Sequence, residues 1–121
     1  MAEPRQGEVW LVDLDPTQGH EQGGHRPCLV VSRDEVHESG LFMVVPGTSV
    51  YKRIPGRVCV PKGVANLDRD TFFQCGQVRT VSEARFRRCY GAVERKHLQQ
   101  VLTQVGFCLS LPPLKGEGAD G

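Results

Sequence analysis

The residues of this 121-residue chain whose types and spacing suit chemistry fall in a few short stretches. The first is Asp15 to His25, DPTQGHEQGGH, the longest polar interruption between apolar runs. A loop of that length in a compact domain more often carries function than mere connection. Gly23 and Gly24 free the backbone for positive φ and for close approach to another chain, and exposed amides there can hold an anion. Arg26-Pro27 follows at once, setting a guanidinium at the mouth of a strand, and the planar fork of Arg suits phosphate or carboxylate oxygens. The second stretch is Pro46-Gly47-Thr48-Ser49, where two hydroxyls stand at the end of an apolar run, placed either to donate to an oxygen or to complete a turn. In the third, Gln77-Val78-Arg79-Thr80, alternation puts Gln77 and Arg79 on one face of a strand, with Glu21 as the expected partner of a buried Arg. A fourth, residues 48 to 57, holds Tyr51, Lys52, Arg53 and Arg57, which can stack a base and grip a backbone or form a solvated turn.

The elements that must position these groups read mainly as strands. Runs at Glu8 to Leu14, Cys28 to Ser32, Leu41 to Val45, Arg57 to Val60, Thr71 to Cys75, Gln77 to Val81 and Cys89 to Val93 are short and bounded by Gly, Pro, Asn or Asp. The first alternates around Val9, Leu11 and Asp13. Ser82 to Arg88 reads as a short connector helix with Ser82 as its N-cap. From Glu94 to Leu111, Leu98, Val101, Leu102, Val105, Cys108 and Leu109 follow the spacing of one apolar helical face, and Pro112-Pro113 ends the pattern. No repeated strand-then-helix alternation points to a doubly wound parallel fold.

Composition bounds the partners. Lys and Arg number 15 against 14 Asp and Glu, a formal charge of +1, which excludes a histone-like binder and a solvating acidic chain. The mean hides a split: residues 1–50 carry three Arg against eight acids, whereas residues 51–97 carry eleven bases against four. An anionic partner fits the second half. The five cysteines show no metal-ligand spacing and read as small buried hydrophobes in a reducing compartment. No stretch resembles a signal peptide or a membrane span, so a cytoplasmic protein is expected.

Gly7-Glu8-Val9-Trp10, Asp15-Pro16-Thr17, Gly19-His20-Glu21-Gln22-Gly23-Gly24, Arg26-Pro27 and Leu29-Val30-Val31-Ser32 together resemble the N-terminal signature of the MazF, PemK and Kid toxin family. Val45-Pro46 with Thr48-Ser49, Gln77-Val78-Arg79-Thr80, Arg85 and the final amphipathic helix agree in order, so the likeness covers residues 5 to 111. It implies a mainly β fold with α (α+β), a small SH3-like curled antiparallel sheet or barrel of the CcdB/MazF type with a C-terminal helix. One toxin domain over 1–111 and a disordered tail over 112–121 are expected.

The resemblance further implies a homodimer that cuts single-stranded RNA without metal or cofactor, by attack of a ribose 2′-hydroxyl on the adjacent phosphate, and that a cognate MazE-like antitoxin neutralises. Arg26 and Thr48 match the family's catalytic Arg and hydroxyl positions. His20 matches a position where some relatives carry His, and is expected to assist proton transfer or grip the RNA. Glu21, Gln22, Gly23, Gly24, Ser49, Tyr51, Lys52, Arg53, Gln77 and Arg79 make up the expected RNA-binding surface. His25 reads as an exposed loop residue. Where many relatives place an acid after the Q-x-R-T element, this sequence has Ser82, which moves weight away from a carboxylate base. Two other readings share the fold: a CcdB-like gyrase poison, disfavoured because the Trp-Gly-Ile ending of those proteins is not found here, and a degenerate member that only binds.

Overall fold

The computed structural model describes residues 3–37 and 39–112. Glu38 and all of the expected tail beyond Pro112 lie outside the described residues. Among the described residues, seven strands, β1 (Glu8–Asp13), β2 (His25–Val30), β3 (Leu41–Thr48), β4 (Arg57–Val60), β5 (Thr71–Gln74), β6 (Arg79–Ser82) and β7 (Phe86–Ala92), precede one α-helix, α1 (Arg95–Cys108). This is the expected mixed α+β architecture, an antiparallel sheet closed by a C-terminal helix.

The sheet runs β4-β5-β3-β2-β1-β7, with β6 also paired to β3. The long strand β3 changes partner along its length. Residues Leu41 to Val44 pair with β6, whereas Gly47 and Thr48 pair with Phe73 and Phe72 of β5. Exchanging neighbours in mid-strand curls the sheet and carries Thr48 away from β6.

Curling gives the sheet two buried faces. On one, Val9, Leu29, Val45, Val60 and Phe73 pack with Val101 and Val105 of α1; on the other, Trp10, Val12, Leu14, Val30, Phe42, Val44 and Phe86 pack together. The second cluster is built on aromatic edges, with Phe86 T-shaped to both Trp10 and Phe42 at 5.6 and 5.1 Å. This corrects the alternation expected for β1: Leu11 is only half-buried, while Trp10, Val12 and Leu14 are core. Register shifts against β7 between Val9 and Trp10 and between Leu11 and Val12 break the simple period of two.

Three further expectations change in detail. The segment after Ser82 is a single 3-10 turn, Glu83–Arg85, capped as expected by Ser82 Oγ, and Phe86 onward is already strand. Helix α1 ends at Cys108 through a Schellman closure, not at the prolines: Leu111 N–H donates to Gly106 O at 2.8 Å and Ser110 N–H to Phe107 O at 3.0 Å, with Ser110 at φ 60°. Cys108 and Leu109 are therefore exposed, and His97 joins the buried face instead. Of the cysteines, only Cys28 and Cys75 are buried; Cys59, Cys89 and Cys108 are exposed, and all five are free thiols.

Candidate active site

The β1–β2 hairpin places the central Arg. Val12 pairs with Arg26 and Asp13 with His25, so the eleven residues from Leu14 to Gly24 form the loop between the strands. Its neck is closed by Leu14 N–H donating to Gly24 O at 3.0 Å and Gly24 N–H donating to the Asp15 carboxylate at 3.0 Å, with Gly24 at φ 81°. That φ is open to glycine and strained for other residues. Two guanidiniums brace the neck from below. Arg79 donates to Leu14 O at 3.2 Å, and Arg85 donates to the carbonyls of Asp13 and Asp15.

Within this frame Arg26 is held by one edge. Its Nε–H donates to Gly23 O at 2.7 Å; with the Gln22 amide assigned so that its oxygen faces the guanidinium, that oxygen accepts from Arg26 Nη2 at 2.5 Å and lies 2.7 Å from Nε. The remaining N–H groups of the fork are left for an anion. Arg26 lines a cleft of about 240 Å³ with His25, Pro27, Gly47, Thr48, Ser49, Leu67, Asp68, Arg69, Thr71 and Tyr90. Thr48 is buried, and its Oγ1 accepts Val50 N–H at 3.2 Å, which leaves the hydroxyl hydrogen free to donate. Thr48 thus completes the expected turn while its hydroxyl hydrogen stays available to donate.

Arg26, Thr48 and Ser49 come together as the sequence implied, but His20 does not join them. It lines a second depression of about 470 Å³ with Glu21, Gly76, Gln77, Val78 and Arg79. Gln77 sits in a 3-10 turn (Cys75–Gln77), not in the expected strand, and still reaches the loop: its Oε1 accepts Gln22 N–H at 3.2 Å and its Nε2 donates to His20 O at 3.4 Å. Glu21 is turned to its own loop, where it accepts Gln18 N–H at 2.7 Å, and Arg79 takes the Leu14 carbonyl; the expected Glu21–Arg79 ion pair is not formed. Gly23 is confined, since a Cβ there would stand 2.7 Å from Asp15 Oδ1 and Thr17 Oγ1. Tyr51, Lys52 and Arg53 are exposed, with the Tyr51 ring against Phe72 at 5.4 Å, at the end of the strand pair that carries Thr48.

The sequence reading missed Asp68, Arg69 and Tyr90 in the cleft and undervalued His25, whose Nε2 stands 3.9 Å from Asp13 Oδ2. Only register makes that pair visible: Asp13 faces His25 across the hairpin. Among the described residues no group of three or more His, Cys, Asp or Glu could hold a metal ion.

Residues 5–109 match the family described as PemK-like, MazF-like toxin of type II toxin-antitoxin system. The chain belongs to this family. It is 36% identical over 104 residues to endoribonuclease MazF9 of Mycobacterium tuberculosis, covering 80% of this chain and 88% of that protein. It is 29% identical over 118 residues to endoribonuclease MazF of Staphylococcus saprophyticus, covering 95% and 98%. Among solved structures, MazF of Deinococcus radiodurans matches with a TM-score of 0.79 at 26% identity, over 89% of this chain and 97% of that one. A MazE-MazF structure from the same organism matches with a TM-score of 0.73 at 26% identity, over 90% and 97%. For a PemK/MazF-family toxin, the Gly-rich loop, Arg26 and Thr48 thus occupy one end of the first hairpin and the turning point of β3.

Proposed function

We propose that this toxin is a sequence-selective endoribonuclease that cleaves single-stranded RNA, messenger RNA included, without a metal. The observation that carries the reading is Arg26, held along its Nε edge with its other donors free in the cleft that Thr48 and His25 also line. The endoribonuclease names of the two relatives above support it. In the reaction, the ribose 2′-oxygen bonds to phosphorus as the P–O5′ bond breaks, leaving a 2′,3′-cyclic phosphate and a 5′-hydroxyl. Arg26 and the Thr48 hydroxyl stabilise the charge that grows on the non-bridging oxygens. Fixed donors of this kind act on the transition state without reorganising.

The attacking hydroxyl must lose a proton, and a guanidinium is too weak a base to take it. His25, carrying an imidazole into the same cleft with Asp13 behind it, takes that proton, and the leaving oxygen is protonated by water. His20, in the neighbouring depression with Arg79, grips the RNA chain, as do Ser49 and the Tyr51-Lys52-Arg53 loop. Gln22, Gly23, Gly24 and Gln77 shape the loop that carries the fork.

The working unit is a cytoplasmic homodimer of one domain spanning residues 1–111, inhibited by an acidic MazE-like antitoxin tail that competes with RNA for the same guanidiniums. The experiment is incubation of the purified protein with mixed-sequence RNA in EDTA, with the new termini identified. Cyclic phosphate and 5′-hydroxyl ends at a recurring motif are expected; uncut RNA, or 5′-phosphate ends, rejects the reading.

A further inference from the structure

Gln74 lies on β5 with only 5% of its surface exposed, and buried amides are costly unless their polar atoms are engaged. Its Oε1 receives two donors. Arg57 Nη2 donates from β4 at 3.2 Å, and, in the assigned orientation of its amide, the side-chain NH2 of Gln22 donates from the Gly-rich loop at 3.1 Å while standing 3.0 Å from Gln74 Nε2. The oxygen of that same Gln22 amide accepts from Arg26. A chain of hydrogen bonds therefore runs Arg57, Gln74, Gln22, Arg26, across strand β4, strand β5, the loop and strand β2.

The direction of this chain is fixed at both ends, because a guanidinium has donors and no acceptor. Arg57 turns the Gln74 oxygen inward, and that oxygen draws the Gln22 NH2, which leaves the Gln22 oxygen facing Arg26. If the Gln22 amide turned over, its NH2 would face the Arg26 donors and the fork would lose the acceptor on its Nε edge. Gln77 holds the Gln22 backbone at the same time, so only the side-chain amide is free to turn.

The geometry points to Gln74 as a positioning residue that sets the orientation of Gln22 and, through it, the aim of the Arg26 guanidinium. The inference rests on the proposed role of Arg26 at an RNA phosphate, and it concerns how that role is held in place. Orientation at this level matters for rate, since displacement of a reacting group by about 1 Å can cost on the order of 100-fold.

The test compares Gln74→Met, which keeps length and loses the acceptor, with Gln74→Glu, which keeps an acceptor oxygen. On a mapped RNA, Gln74→Met lowers kcat about tenfold with KM within about twofold, and Gln74→Glu restores kcat to within about threefold. An equal loss in both variants, or none in Gln74→Met, overturns the proposal. A second readout does not depend on activity: the Arg26 Nε–H resonance exchanges slowly with solvent in the wild type and in Gln74→Glu, and at least about tenfold faster in Gln74→Met. If exchange is the same in all three, the relay does not exist; if exchange follows the relay and the wild type leaves RNA intact, it is the nuclease reading that fails. Should Gln74→Met not fold, Gln22→Met in the loop gives the same loss, and unchanged exchange there overturns the proposal equally.

Discussion

Across the first hairpin, His25 Nε2 stands 3.9 Å from the Asp13 carboxylate, which Arg87 also approaches at 3.4 Å from β7. The pair places an imidazole at the cleft with a carboxylate behind it, the arrangement of a group that takes a proton in the transition state. His25→Ala is expected to lower kcat/KM by about 100-fold and to flatten the acid limb of the pH-rate profile. His20→Ala leaves that limb in place and raises KM. A profile that flattens in His20→Ala and persists in His25→Ala reverses the two roles.

Gly47 is the tightest point beneath the cleft. A Cβ on it would stand 2.6 Å from Thr71 Cγ2, 3.1 Å from Pro27 O and 3.2 Å from the Phe73 ring. Gly47→Ala therefore pushes β3 from β5 beside Thr48, at a cost of about 1–3 kcal/mol in urea unfolding. Initial rates fall with it, about tenfold for a small displacement of Thr48. An unchanged unfolding midpoint contradicts the packing described.

The N-terminal segment is tied down at Asp34, whose carboxyl lies below its ordinary value of 3.8, first because Gln6 N–H donates to it at 2.8 Å and also because Arg5 lies at 3.2 Å. A native value below the unfolded one means that the unfolded chain binds the proton more readily, so this contribution is full above the unfolded value and is lost as pH falls through the native one. Asp34→Asn lowers stability at pH 7 by about 0.2–1 kcal/mol, the range of a solvent-screened surface interaction, and the two proteins converge once the pH has fallen through the native value. Urea midpoints measured across that range decide it.

Burial pushes the Cys28 and Cys75 thiols up to about 12, which leaves them almost wholly protonated at pH 8. Cys59, Cys89 and Cys108 are exposed. A thiol reagent at pH 8 is expected to modify these three in the native protein and all five after denaturation. Rapid reaction of five thiols without denaturant means that the sheet opens around Cys28.

Most strands were legible because short apolar runs bounded by Gly and Pro leave few alternatives, and the Asp15-to-His25 loop stood out by polarity. Arg26 and Thr48 were legible through the family resemblance, and they do share a cleft. What escaped the sequence depends on partners distant in the chain. The alternation read around Val9, Leu11 and Asp13 does not hold, because bulges against β7 and burial on both faces break it. Gln74 on β5, Asp68 and Arg69 in the loop before it, and Tyr90 on β7 come to the site from separate parts of the chain, and no local spacing announces them. His25 looked like a loop residue because its partner Asp13 faces it only through strand register. The Cys residues were read by type, whereas Cys59 and Cys89 lie on strand positions that point outward.

The most direct measurement is single-turnover cleavage of a mapped RNA by the wild type and by Arg26→Ala, with folding of both checked by thermal unfolding. The account predicts a loss of about 100- to 1,000-fold in the chemical step, the range for removing one preorganised donor from a developing oxyanion. Cleavage by folded Arg26→Ala at the wild-type rate would contradict it.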